Sequence, residues 1–306
     1  MRIMPRVSIG LPVYNGANYL REALDAILSQ TYEDFELIIS DNASTDATAE
    51  ICRELAACDS RIRYIRHEMN SGAAPNFNFV FHEARGEFFK WAAHDDLIAP
   101  EFIETCVAAL DADTSAVLAF PMVHRIDETG RMTEPYQHPL KFDSRSAGDR
   151  FSQLVQFHRF ACYEIFGLIR TGALKETALI GSYSNGDGVL LAHLGLMGRF
   201  ALVPKPLFFP RRHPDQSQRY IRDKRQYDEW FDRTNAAKRR LPYWRMIREY
   251  EKAVRAERMG AFDKLSCYTA LARQTALIWR KLGGDVKRAA LDGPRGSGWR
   301  MWAARN

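Results

Sequence analysis

The spacing of apolar and polar positions changes period several times within the first hundred residues. Val7–Val13 (VSIGLPV) is an almost unbroken apolar run of strand length, stopped by the turn signal Tyr14-Asn15-Gly16. Leu20, Ala23, Leu24, Ile27 and Leu28 then recur at helical spacing. Residues 35–40 (FELIIS) read as a second strand ending on Asp41-Asn42, and Ser44 and Thr45 are N-cap candidates for a helix carrying Ala47, Ile51 and Leu55. A third strand is predicted at 62–65, a loop at Asn70-Ser71-Gly72, and a helix through Phe77, Val80, Phe81 and Ala84, closed by Gly86 as its C′ residue. Residues 88–93 form a fourth strand that breaks off on His94-Asp95-Asp96, and Pro100 suits the first turn of a further helix.

Strands alternating with helices predict βαβ units and a parallel sheet. Right-handed crossovers then bring the carboxyl ends of the strands to one edge, where open α/β sheets bind ligands. Tyr14, Asp41 and Asp95 should therefore line one crevice. Two adjacent carboxylates, Asp95 and Asp96, are hard oxygen donors suited to Mg²⁺ or Mn²⁺ carrying a diphosphate; equally, they suit the cap of the next helix. Rival nucleotide and hydrolase folds leave signatures this chain lacks: there is no G-x-G-x-x-G, no G-x-x-x-x-G-K-[ST] and no G-x-S-x-G.

The ordered set PVYNG (12–16), SDNASTD (40–46), NSG (70–72), N-x-N (76–78), ARG (84–86) and HDD (94–96) resembles family-2 glycosyltransferases of the GT-A fold, over about residues 5–215. The resemblance implies an α/β fold with a mostly parallel twisted sheet flanked by helices. It implies a nucleotide-sugar donor, with Pro12, Tyr14 and Asp41 at the base and ribose, Asn76 in the same donor site, and Asp95 on the divalent metal. The family's usual D-x-D is altered: Ala93 stands in the place of its first carboxylate, leaving Asp96 to assist or the phosphates to complete the metal shell.

In the second half, residues 116–120 read as a strand, Asp127-Glu128-Thr129-Gly130 as a hairpin turn and 134–148 as a loop. Phe151, Leu154, Val155 and His158 mark a helix. SYSNGDG (182–188) precedes an apolar helical run, 189–197, which makes Asp187 a first-turn or capping acid. The resemblance implies more: this is where the family places the base that deprotonates the acceptor hydroxyl, with Gly186 here replacing an accompanying Glu. It also likens Arg211-Arg212-His213 to a segment that closes over the donor phosphates. His213 would join Asp95 and Asp96 at the metal, and Arg211 or Arg212 would neutralise the leaving diphosphate.

Composition changes this picture at three points. The 306 residues carry a net +5, but residues 1–210 sum to −8 and residues 211–306 to +13. An acidic body with a basic tail predicts an anionic contact for the tail. Tyr227, Trp230, Phe231 and Thr234 suggest one tail helix. Leu265, Tyr268, Leu271, Ala272, Thr275, Ile278 and Trp279 suggest another, ended by Gly283-Gly284, and Trp299 and Trp302 lie among arginines. The expected organisation is a catalytic domain, 1–215, and a helical basic extension, 216–306. Aromatics beside arginine suit helices packed on the domain, which is the default reading, or a peripheral contact with an anionic membrane; nucleic acid is not an expected partner. Five scattered cysteines with no C-x-x-C predict reduced thiols, and the absence of a long apolar run or signal peptide predicts a cytoplasmic protein. The acceptor is expected to be a glycan or lipid-linked glycan. The rival reading is a nucleotide- or anionic-surface-binding protein without transferase activity.

Overall fold

The computed structural model describes residues 4–136, 143–156, 162–183, 185–214, 216, 231 and 241–291. The expected His158, Tyr227, Trp230, Thr234, Trp299 and Trp302 positions lie outside them.

The first half folds as β1 (Val7–Val13), α1 (Leu20–Leu28), β2 (Phe35–Asp41), α2 (Thr48–Cys58), β3 (Ile62–Arg66), α3 (Ala73–His82) and β4 (Phe88–Trp91). It continues through β5 (Leu97–Ile98), α4 (Phe102–Ala112), β6 (Ala116–Ile126) and β7 (Met132–Tyr136). Then come α5 (Ala147–Val155), a 3₁₀ turn (Tyr163–Phe166), β8 (Leu168–Arg170), α6 (Thr171–Lys175), α7 (Gly186–Met197) and β9 (Arg199–Phe209). Among the described residues, α8 (Pro242–Ala256), α9 (Ala261–Leu277) and α10 (Trp279–Leu291) follow.

The strands form one sheet in the order β3-β2-β1-β4-β8-β6-β9-β5, with β7 paired to β6. β3, β2, β1 and β4 are mutually parallel, as their βαβ crossovers require. Beyond β4 the sheet is mixed: β8 runs antiparallel to both β4 and β6, while β9 runs parallel to β6. The expected mostly parallel sheet is therefore parallel through β3, β2, β1 and β4 and mixed beyond them. The short β5, not predicted, pairs antiparallel with the end of β9 and so brings the chain just after Asp96 beside the chain just before Arg211.

Period-two alternation divides the core into two layers. Leu37, Ile39 and Phe88 face α1, α2 and α4. Ile38, Phe89 and Trp91 face α3, α5, α7 and the C-terminal helices. Met246, Tyr250, Val254, Cys267 and Leu271 belong to this second layer, so α8 and α9 pack directly on α7 and α5. All five cysteines are free, and no helix among the described residues is long and apolar enough to cross a membrane.

Four local readings change. Ser44 and Thr45 do not cap α2, whose N-cap is Ala47. Gly86 is not a helix C′ residue; α3 ends at His82, and Gly86 lies against the β1 backbone, where a Cβ would come within 2.7 Å of the Ser8 nitrogen. Pro100 precedes α4 rather than opening it. Gly283 and Gly284 sit inside α10, where buried Leu282 and Asp285 hold the helix against α8; Asp285 accepts the Tyr243 N–H at 2.8 Å.

Candidate active site

The end of β1 is shaped by its neighbour across the sheet. The Asn15 N–H donates to Ser44 Oγ (2.9 Å), the Gly16 N–H to Thr48 Oγ1 (2.9 Å) and the Ala17 N–H to Asp46 Oδ2 (3.0 Å). The polar residues between β2 and α2 therefore hold the first loop in place instead of capping the helix. Gly16 is required by packing, since a Cβ there would lie 2.6 Å from the His94 ring. The three strand-end loops meet as expected, with Pro12 buried and Tyr14 40% exposed at the mouth.

Asp41 and Asn76 are anchored more deeply than expected. Asp41 is fully buried; its carboxylate accepts from the Ser44 N–H (2.8 Å) and the Tyr64 hydroxyl (2.8 Å) and pairs with Arg66 at 3.5 Å. Removing it would orphan buried donors at about 1–3 kcal/mol each, so any donor contact it makes is combined with a structural one. The Asn76 amide is taken up by Ser40, accepting from its hydroxyl and donating to its carbonyl. Two residues on, Asn78 brackets the backbone of Ile180 with bonds of 3.0 and 3.1 Å. The N-x-N pair on α3 thus ties the end of β2 to the loop leading into α7.

At the end of β4, Asp95 Oδ2 lies 3.0 Å from His213 Nε2. Burial acts to raise the Asp95 carboxyl, but the His213 hydrogen bond and the charges of His94 and His213 outweigh it and hold it below the usual carboxylate range. Asp96 goes the other way: burial first, then the neighbouring Asp95, push it well above that range, against the Arg211 N–H that it accepts at 3.0 Å. One Asp96 oxygen is thus engaged by the Arg211 backbone, whereas Asp95 turns toward the His213 ring. Arg211 is 1% exposed and is not directed at open space. It donates to the Asp95 carbonyl (3.0 Å), the Glu128 carbonyl (3.2 Å) and Glu22 (2.7 Å), with its guanidinium over the Tyr19 ring. It pins the HDD loop to α1 and to the β6–β7 hairpin. Arg212 is half-buried, and its side chain has no partner among the described residues.

Asp95 and His213 fit a divalent cation in part. One carboxylate and one imidazole converge, and His213 Nδ1 is buried without a hydrogen-bond partner among the described residues. No group of three or more candidate ligands occurs among those residues. A cation here would draw its remaining ligands from phosphate and water, which suits Mg²⁺.

These strand ends fall within residues 8–177, which match the model for glycosyl transferase family 2. The chain belongs to that family. A glycosyltransferase of Rickettsia felis is 39% identical over 127 residues, 41% of this chain and 21% of the relative. Streptococcus pneumoniae GlyA is 31% identical over 183 residues, 60% of this chain and 24% of the relative. The chain therefore matches a quarter or less of the length of these two relatives. Among solved structures, S. aureus TarS 1–349 superposes with a TM-score of 0.65 at 17% identity, covering 91% of this chain and 74% of that one. The mannosyltransferase PcManGT of Pyrobaculum calidifontis, in complex with GDP-Man and Mn²⁺, superposes with a TM-score of 0.56 at 19% identity, covering 95% and 77%. These likenesses establish the GT-A fold.

The family 2 frame makes the start of α7 informative. Asn185 enters the helix in the left-handed region (φ 69°), and Asp187 lies in the first turn, accepting the Gly188 N–H at 2.9 Å and the Cys162 thiol. Burial raises the Asp187 carboxyl above its ordinary range. Gly186 cannot carry the accompanying Glu, because a Cβ there would sit 2.3 Å from the Gly181 carbonyl oxygen.

A second buried acid on another element lies within electrostatic reach of Asp187. Glu164, on the 3₁₀ turn, is fully buried and feels the Asp187 charge. Its turn is fastened to β4 by Lys90, whose buried ammonium donates to the carbonyls of Trp91 (2.9 Å) and Phe166 (2.8 Å) and is pushed down to about 8 by burial. Sequence reading missed Glu164 because an isolated Glu in an irregular segment carries no periodic or motif signal. Burial drives its carboxyl from an ordinary 4.5 up to about 8, opposed by its own N–H and aided by Asp187. The folded protein then binds a proton that the unfolded chain has released, so this contribution to stability is present at low pH and is lost as pH rises from about 4.5 to about 8. Denaturant titrations across that window should show a flatter pH dependence for Glu164→Gln than for wild type. Identical slopes would mean that Glu164 does not titrate there.

Proposed function

We propose that this chain transfers a sugar from a nucleoside-diphosphate sugar to a hydroxyl acceptor, with Asp187 as the base. The observation that carries the reading is the pairing of Asp95 with His213 at the strand-end crevice, with Asp187 held in the first turn of α7 by the same scaffold. Pro12, Tyr14 and Asp41 would frame the nucleoside. Arg212, whose side chain has no partner among the described residues, is better placed than Arg211 to meet the diphosphate. A Mg²⁺ or Mn²⁺ ion held by Asp95 and His213 would supply charge neutralisation at the leaving diphosphate. Asp187, with its carboxyl raised toward neutrality, would take the proton from the acceptor oxygen as that oxygen attacks the anomeric carbon.

The donor sugar is taken to be a hexose or deoxyhexose and the acceptor a glycan or lipid-linked glycan, as in cell-surface polysaccharide assembly. Supporting the donor class, TarS is described in complex with UDP-GlcNAc and PcManGT with GDP-Man. Residues 1–215 would carry the chemistry at the cytoplasmic face, with 216–306 as a separate extension whose helices at 242–291 pack against it. The deciding experiment is a screen of nucleotide-sugars for nucleoside diphosphate release with Mg²⁺, Mn²⁺ or EDTA. Release should depend on one nucleotide, on an acceptor and on the cation. Nucleotide binding without release for any donor and acceptor pair would instead favour a non-catalytic binding protein.

A further inference from the structure

Helix α9 is apolar on both sides. Its inner stripe, Cys267, Leu271 and Gln274, packs into the core. Its outer face carries Phe262 (90% exposed), Leu265 (65%), Tyr268 (41%) and Leu277 (55%), interleaved with Thr269, Ala272 and Ala276. Arg273 is the one charged residue fully exposed on that helix. An outer face with this much exposed large apolar surface ordinarily has something covering it. Beside it runs a groove walled by Trp244 of α8 and by Trp279 and Leu282 of α10, floored by Ala272 and Ala276. Trp244 is anchored by its Nε1–H to the Leu282 carbonyl (3.2 Å) yet is 46% exposed, and Trp279 is 64% exposed with Arg280 stacked against it.

We propose that this face, α9 with its groove to α8 and α10, docks peripherally on an anionic lipid bilayer. The charges around it select that occupant. Residues 241–291 hold eleven Lys and Arg against five Asp and Glu, a net +6. Arg273, Arg280, Lys281 and Lys287 are all exposed, with no carboxylate in ion-pair reach among the described residues. Tryptophans beside exposed cations, bordering a face of large apolar side chains, match the headgroup region, where rings sit at the interface and cations meet anionic lipid. A second copy of the chain joined face to face would oppose like charges across the contact. Cys267, Leu271 and Tyr250 turn inward from the same helices, so the docking face lies on the outside of a layer whose inside supports α7. The inference stands apart from the transfer reading, because vesicle binding is measured with neither donor nor acceptor.

The test uses the full chain, co-sedimented with vesicles of phosphatidylglycerol and phosphatidylcholine, or of phosphatidylcholine alone. Two variants are compared: Phe262→Glu with Leu265→Glu, and Arg273→Gln, Arg280→Gln, Lys281→Gln with Lys287→Gln. All six side chains are exposed, so folding, checked by thermal melting, should be retained. Each cation near an anionic surface is worth on the order of fivefold. The four-Gln variant should therefore bind anionic vesicles at least about tenfold more weakly, and wild-type binding should fall with salt. The double Glu variant should lose binding even at low salt. Equal wild-type binding to both vesicle types, no binding at all, or unchanged binding of both variants would each overturn the proposal. A dimer in sedimentation velocity that the Glu variant dissolves, without vesicle binding, would assign the face to a second copy and overturn it too.

Discussion

Replacing Asp187 by Asn is expected to lower sugar transfer by roughly 10²–10⁴-fold, about 3–5 kcal/mol of barrier at 1.36 kcal/mol per tenfold. Donor affinity and thermal stability should stay near wild type. The geometry makes this substitution a clean one. Asn keeps an oxygen for the Gly188 N–H and the Cys162 thiol, and the N-cap position itself belongs to Asn185. What is lost is the capacity to take up a proton. Because burial raises the Asp187 carboxyl, wild-type transfer should fall as pH drops through a range above that of an ordinary carboxylate, and the variant should lack that limb. Single-turnover transfer and calorimetric nucleoside diphosphate titration read the two properties separately. Near-normal transfer by the variant would remove Asp187 from the mechanism and redirect the search to Glu164 or Asp143.

Asp95→Asn should lower turnover at least about a hundredfold, the scale of losing a transition-state charge stabiliser. The amide preserves shape and can still accept from His213, so the loop pinned by Arg211 should hold its form. The negative charge that a hard cation needs is gone. The expected signature is a greatly weakened response of the residual rate to added Mg²⁺ or Mn²⁺, with nucleoside binding in EDTA unchanged. Full wild-type activity in EDTA would exclude metal assistance here. His213→Ala would separate the two candidate ligands: it leaves the Asp95 charge and should therefore cost less than Asp95→Asn.

Much of the donor half was legible because it is local. Each of β1, β2 and β4 is a buried apolar run cut off by a polar turn, and the helices between them repeat at 3.6 residues. That pattern alone locates Tyr14, Asp41 and Asp95 at neighbouring strand ends. Residues whose partners are distant in sequence carry contacts that no local pattern shows. Asn76 and Arg211 looked like ligand-facing polar groups; one is closed onto Ser40, and the other onto Glu22, Glu128 and the Asp95 backbone. Glu164 had no local signal, since what matters about it is the fold around it. Asp95 and Asp96 read alike in sequence, yet one contacts His213 and the other the Arg211 N–H, and their carboxyls are driven in opposite directions.

The sequence by itself determined the order of strands and helices as far as β4, the polar ends of those strands and the acid that opens α7. Period and turn chemistry are properties of a few consecutive residues. Tertiary structure alone decided that the sheet turns mixed after β4, that Gly186 has no room for a side chain, and that Glu164 is buried within electrostatic reach of Asp187. It also decided that α8 and α9 join the core while α9 leaves an apolar face outward. These depend on contacts between residues tens of positions apart. Burial and charge at such a contact are set by the assembled neighbours, and no window of sequence contains them.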